Sequence, residues 1–206
     1  MDALLETLAL AYQYPQPGST KALWERVQGL PKSSAKDLLE RFLKLISELK
    51  LSEREELYTR TLELTPLTAL YIGYAAYGED YRRGRLMAEL SAAYAPLGID
   101  TAGEIPDHLI PVLRYLSVAE EPPGARSLLR PEGDRPLPEL VQLLEPALKQ
   151  IIHTLKTLEP KNPYLLLLEA TLEAVKPYTS RASQTHQLPV VGSLLGNLPF
   201  WKGGNR

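Results

Sequence analysis

The sequence predicts an all-α, single-domain bundle of about seven to nine helices. Two observations lead there: apolar residues recur at three- and four-residue spacing through nearly every long stretch, and proline, glycine and capping residues separate those stretches at helical lengths. A third agrees, since no segment shows the apolar–polar alternation of a half-buried strand.

Leu4, Leu5, Leu8 and Tyr12 form a first apolar stripe, stopped by the Tyr-Pro-Gln-Pro-Gly turn at 14–18. Ser19 is placed to cap a short helix through Val27, ended by Gly29 and Pro31. Leu38, Leu39, Phe42, Leu45, Ile46 and Leu49 make residues 33–50 an amphipathic helix. Ser52 and Glu55 have capping-box spacing, which predicts a helix over 53–63. Thr65 and Pro66 read as a cap followed by a first-turn proline, opening an aromatic-rich helix to Tyr77. Residues 80–95 form the next helix, ending before Pro96 and Gly98.

Residues 104–116, Glu-Ile-Pro-Asp-His-Leu-Ile-Pro-Val-Leu-Arg-Tyr-Leu, are the most informative stretch. Gly103 offers a turn, and Pro106 biases Ile105 away from helix. Asp107 is then positioned to cap a helix over 107–118, with Leu109, Val112, Leu113 and Leu116 as its apolar stripe. The acidic, histidine-bearing helix start fits plain capping and also a binding site. If the His108 and Asp107 side chains meet, the anion favours the imidazolium. Residues 119–137 are rich in proline and glycine and read as a long connection. A helix over 137–158 follows, with Pro146 expected to kink or split it. Asn162-Pro163 caps a last helix to Lys176. The chain thus divides into a helical domain at 1–176 and a Pro/Gly-rich apolar tail at 177–206, extended or mobile.

Composition excludes several function classes. There is no cysteine, so thiolate zinc sites, iron–sulfur ligation and cysteine catalysis are absent. A net charge of −2 gives no electrostatic footprint for nucleic acid. No apolar run reaches the roughly 20 residues that span a bilayer, so stable membrane insertion is not expected. The N-terminus carries acids where a signal peptide carries bases, and the expected location is cytoplasmic. No phosphate loop, nucleophile elbow or paired-histidine motif occurs, and no enzyme activity is expected. His108, His153 and His186 are far apart, and His153 reads as a partly buried structural histidine; no metal site is expected.

Two further clusters stand out. Tyr81-Arg82-Arg83-Gly84-Arg85 concentrates positive charge next to Glu79 and Asp80. It fits a solvated helix face first, and as the alternative an anion or acidic-partner contact through Arg82 and Arg83. Tyr58, Tyr71, Tyr74, Tyr77 and Tyr81 form an aromatic series, most of them three or four apart. Core packing explains such a series, and so does a groove for a partner helix.

Together these segments resemble the middle of the NarJ proteins, the nitrate reductase delta subunits or molybdenum cofactor assembly chaperones. That family lies within the redox-enzyme maturation chaperones. The resemblance covers residues 58–116. It runs through Tyr58-Thr59-Arg60-Thr61-Leu62-Glu63-Leu64, Leu70-Tyr71-Ile72 and Tyr77-Gly78-Glu79-Asp80-Tyr81-Arg82-Arg83-Gly84. It continues through Tyr94-Ala95-Pro96-Leu97-Gly98 and closes on Glu104-Ile105-Pro106-Asp107-His108-Leu109-Ile110-Pro111. Leu62-Glu63 stands where the family has Phe-Asp, and the arginine block carries one extra residue after Gly78.

The resemblance implies a helical, cytoplasmic chaperone. Its partner would be the N-terminal segment of a molybdenum-containing nitrate reductase catalytic subunit. It would hold that subunit competent for molybdenum cofactor insertion and delay membrane docking, with no cofactor bound stably to itself. The implied client-peptide residues are Tyr58, Tyr71, Tyr74, Asp107 and His108. A helical adaptor without a cofactor-related client is the alternative.

Overall fold

The computed structural model describes residues 1–64, 68–119 and 137–185. The described residues are all-α. In chain order the helices are α1 (Ala3–Ala11), α2 (Ser19–Gln28), α3 (Ser34–Ser47), α4 (Leu51–Tyr58), α5 (Ile72–Tyr77), α6 (Tyr81–Tyr94), α7 (Leu109–Ala119), α8 (Pro138–Leu158) and α9 (Tyr164–Thr185). A π-helical turn, Thr59–Glu63, continues α4, and a 3-10 turn, Ala95–Leu97, ends α6. The core forms where α9 packs against both α8 and α3, α1 against α7, and α5 against α8. Among the described residues no helix is long and apolar enough to cross a membrane.

Helix α8 shows how pattern becomes packing. Leu140, Val141, Leu144, Ala147, Leu148, Ile151 and Leu155 are all buried, one stripe at helical spacing. Pro146 lies inside the helix without splitting it. Pro146 and Gln142, whose carbonyl loses its N–H partner, both sit on the exposed face. His153 falls on that face as well and is exposed, not partly buried.

Caps account for most of the differences at helix ends. Helix α4 starts at Leu51, two residues before the expected start, because the Glu53 carboxylate accepts from the Lys50 N–H at 2.7 Å. Helix α2 is capped at Gly18 (φ +81°), and the Ser19 hydroxyl instead donates back to the Gln16 carbonyl. The aromatic helix is shorter than expected, beginning at Ile72; the Thr65–Pro66 cap lies outside the described residues. The Asn162 cap holds, its Oδ1 accepting from Tyr164 N at 2.9 Å. Its Nδ2 donates to Thr61 Oγ1 at 2.8 Å, which ties the π-helical turn to the start of α9.

The domain boundary expected at 176 falls inside a helix. Helix α9 passes through Pro177 to Thr185. Two side chains just beyond the proline anchor it: the Tyr178 hydroxyl donates to Asp2 Oδ2 at 2.8 Å, and the Thr179 hydroxyl to Glu145 Oε2 at 3.0 Å. The other Asp2 carboxylate oxygen caps α1 by accepting from Leu4 N and Leu5 N. One aspartate thereby starts the first helix and fastens the last. The remainder of the tail and most of the 119–137 connection lie outside the described residues.

Leu148 is fully buried and Leu158 is 56% exposed on the same helix. Leu148→Ala should cost about 2–5 kcal/mol by opening a cavity. Leu158→Ala should stay within about 0.5 kcal/mol. Urea unfolding midpoints at equal slope check both.

Candidate functional site

The segment 104–109 does not simply start a helix. It pairs with the residues before α5. Ile72 N donates to the Asp107 carbonyl at 2.9 Å and Leu109 N to the Leu70 carbonyl at 2.7 Å. These two bonds form an isolated antiparallel bridge between Tyr71 and His108. The Tyr94 hydroxyl of α6 donates to the Pro106 carbonyl at 2.9 Å. Three motif segments far apart in sequence thus meet at one point.

Asp107 is not the cap of α7. The helix begins at Leu109, and the Asp107 carboxylate is fully buried, turned toward α6. There Arg83 Nε donates to Asp107 Oδ2 at 2.8 Å and Arg83 Nη2 to Oδ1 at 3.4 Å. This two-point fork is the geometry that suits guanidinium and carboxylate. The pairing raises the Arg83 pKa above its ordinary value, chiefly through the side-chain hydrogen bond. The Arg83 guanidinium also lies over the Tyr74 ring at 5.3 Å and the Tyr71 ring at 5.6 Å.

Gly73 is what lets this pair form. A Cβ there would stand 2.7 Å from Asp107 Oδ2 and 3.2 Å from Arg83 Cγ. No side chain fits without pushing the carboxylate off the arginine.

His108 supplies the local cap. Its Nδ1 accepts from Ile110 N at 3.3 Å, and its ring meets the edge of Tyr71 with centroids 5.2 Å apart. The imidazole is not stabilised as a cation by its neighbour. Burial pushes its pKa down to about 4, because Asp107 points the other way, onto Arg83.

The expected client contacts therefore divide. Tyr58, Asp107 and His108 are buried. Tyr58 stacks edge-on between Tyr14, 5.3 Å away, and Tyr164, 6.3 Å away. Tyr71 and Tyr74 remain partly accessible. Arg83 is occupied by Asp107, while the exposed Arg82 pairs with Asp80 at 3.0 Å and covers the Tyr77 ring at 4.7 Å. Asp80 also caps α6, its carboxylate accepting from Arg82 N. The charge run at 81–85 is thus largely internally balanced, with Arg85 bonded to Glu139 on α8.

Two residues without an assigned role complete the surface. Glu104 is half-buried, and its pKa is raised by burial and by Glu63. Both acids act on Tyr58 and Tyr71, whose pKa values are raised first by burial and then by these charges. Neither acid forms an ion pair among the described residues. Leu64 and Ile105, their chain neighbours, are 72% and 43% exposed. Glu63 sits at the end of the π-helical turn, a distortion frequent at functional positions. Glu104 follows Ala102 (φ +55°) and Gly103 (φ +83°), a turn held by Arg114 donating to the Asp100 carbonyl at 2.6 Å. The outcome is an acidic surface with tyrosine and aliphatic edges.

Among the described residues no group of histidine, aspartate and glutamate side chains is arranged to hold a metal ion. No family model matches the chain, and no curated protein is significantly similar to it.

Two predictions follow from burial. Arg83→Met should cost about 3–5 kcal/mol by leaving the Asp107 carboxylate buried without its partner. Gly73→Ala should cost about 1–3 kcal/mol through overpacking against the same pair. Thermal and urea unfolding measure both, and a Gly73→Ala protein as stable as the parent would contradict the geometry.

The His108 pKa falls from 6.5 in the unfolded chain to about 4 when folded, so the unfolded state binds more protons between those values. Its contribution is complete above the unfolded value and is lost as the pH falls toward the folded one, for a total of up to about 3 kcal/mol. His108→Gln should flatten the stability–pH profile in that window, as followed by unfolding at matched ionic strength.

Proposed function

We propose that the chain is a cytoplasmic chaperone that binds the N-terminal segment of a molybdenum-containing nitrate reductase catalytic subunit. It supports cofactor insertion into that subunit before membrane docking, holds no cofactor stably, and performs no catalysis of its own. One observation carries the reading. The segments that resemble the NarJ family, around Tyr71, Arg83, Tyr94 and Asp107, converge on a single bridge and a single buried ion pair. Motif residues gathered this way support a common task better than scattered ones.

The buried members of the set do not touch the client in this reading. Asp107, Arg83, Gly73 and His108 hold Tyr71, Tyr74 and the 104–105 corner in place. The contact surface is Tyr71, Tyr74, Ile105 and Leu64, with Glu63 and Glu104 acting on Tyr71. Apolar edges beside carboxylates that have no ion pair among the described residues suit a segment with basic and apolar residues on one face.

The test is capture of the cofactor-free catalytic subunit with and without its N-terminal segment. Retention of the intact subunit alone supports the proposal; equal retention of both forms contradicts it. Failure to capture any molybdenum oxidoreductase favours the helical adaptor. In calorimetry with the client N-terminal peptide, a Glu63→Gln, Glu104→Gln variant should bind about tenfold more weakly at low salt. Parent affinity should fall with added salt. It should also fall on acidification at a higher pH than an ordinary glutamate gives, because the raised Glu104 pKa neutralises that group early. Affinity unchanged in the double variant would count against this surface.

A further inference from the structure

On another part of the bundle lies a cavity of about 320 Å³, between the turn after α1 and helices α2, α3, α4 and α9. That volume is at the small end of ordinary ligand pockets. Its floor is apolar: Leu23, Phe42, Ile46 and Leu57 line it and are all buried. Arg54 of α4 also lines it. One of its Nη atoms donates to the Thr20 hydroxyl. Its Nε is buried with no hydrogen-bond partner, and no carboxylate among the described residues forms an ion pair with it.

A buried guanidinium N–H without an acceptor is costly, and native structures rarely leave one so. That Nε is sealed from the cavity, but Arg54 itself lines it, and a guanidinium edge matches the two oxygens of a carboxylate. Tyr164, at the start of α9, lines the same cavity and feels the Arg54 charge. Its hydroxyl makes no hydrogen bond to the described residues and is free to donate to the same anion. Arg26 adds a second positive charge at the exposed side. Glu55 and Glu63 act on Tyr14 at the rim, which weighs against a dianion.

We propose that this cavity binds a small-molecule monocarboxylate with an apolar body, its carboxylate on Arg54 and Tyr164 and its body over Leu23, Phe42, Ile46 and Leu57. The site shares no lining residue with the acidic surface and does not depend on the chaperone reading.

Octanoate is the probe, titrated into the full chain by calorimetry beside 1-octanol and inorganic phosphate. Octanoate should bind saturably at one site. Octanol, which keeps the body and lacks the charge, should bind about tenfold more weakly or worse. Phosphate, which lacks the body, should not saturate. Arg54→Gln should weaken octanoate about tenfold and leave octanol unchanged, and Tyr164→Phe should weaken octanoate by a smaller factor. The Arg54 Nε–H resonance of the parent chain should shift on octanoate addition, a readout that needs no variant. No saturable octanoate binding, equal affinity for octanol, competition by phosphate at equal concentration, or an unmoved Nε–H signal would each overturn the proposal.

Discussion

The Asp107–Arg83 pair is the interaction on which the rest of the candidate site depends. A fully buried carboxylate is tolerated only with a partner that satisfies it, and Arg83 does so through two nitrogens. The pair needs the space left by Gly73. It also needs the backbone bridge that brings residues 107–109 beside 70–72. Once made, it fixes the guanidinium over Tyr71 and Tyr74 and sets the start of α7 against α5 and α6. Net stability from such a pair is small, because desolvation offsets attraction. Its consequence is register: only one placement of α6 against the 104–109 corner satisfies the buried charge.

That pair also shows where sequence reasoning stopped. Helix content was legible because periodicity reports burial directly, as α8 demonstrates residue by residue. Asp107 and Arg83 were each visible as candidates, one as a cap and one as part of a charge run. Their pairing was not, because it joins positions whose proximity depends on a one-residue bridge with no alternation to signal it. The same holds for Asp2 with Tyr178 and Asn162 with Thr61. Long-range side-chain bonds carry no local pattern. The misplaced ends of α2 and α4 have a different cause: several residues near each end were competent to cap, and the choice was made by neighbouring turns.

The tyrosine series illustrates a third kind of ambiguity. The five tyrosines form one series in the sequence, yet they occupy four environments. Tyr58 is core, stacked against Tyr14 and Tyr164. Tyr71 and Tyr74 form a half-exposed platform under Arg83. Tyr77 donates to Glu139 on α8, and Tyr81 is 81% exposed. The divergence arises because α5 ends at Tyr77, with Gly78 at φ +61° redirecting the chain before α6. Spacing predicts a shared face only while one helix axis persists.

Net charge misleads for a similar reason. A value of −2 averages over the chain and conceals how the fold sorts its charges. Several arginines are matched: Arg83 to Asp107, Arg85 to Glu139, Arg114 to Asp100. At the two sites, Glu63, Glu104 and Arg54 have no ion pair among the described residues. Glu63 and Glu104 collect at the π-helical turn and the 104–105 corner, whereas Arg54 faces a cavity floored by aliphatic and aromatic carbon. The edge-on Tyr14–Tyr58–Tyr164 series links the two: Tyr14 and Tyr164 line the cavity, and Tyr58, packed between them, lies in the field of both acids. An unpaired charge in a folded protein carries a desolvation cost that the rest of the fold must offset. For the half-buried Glu104 and the buried Arg54 Nε the described residues supply no neutralising contact, so the packing around each carries that cost.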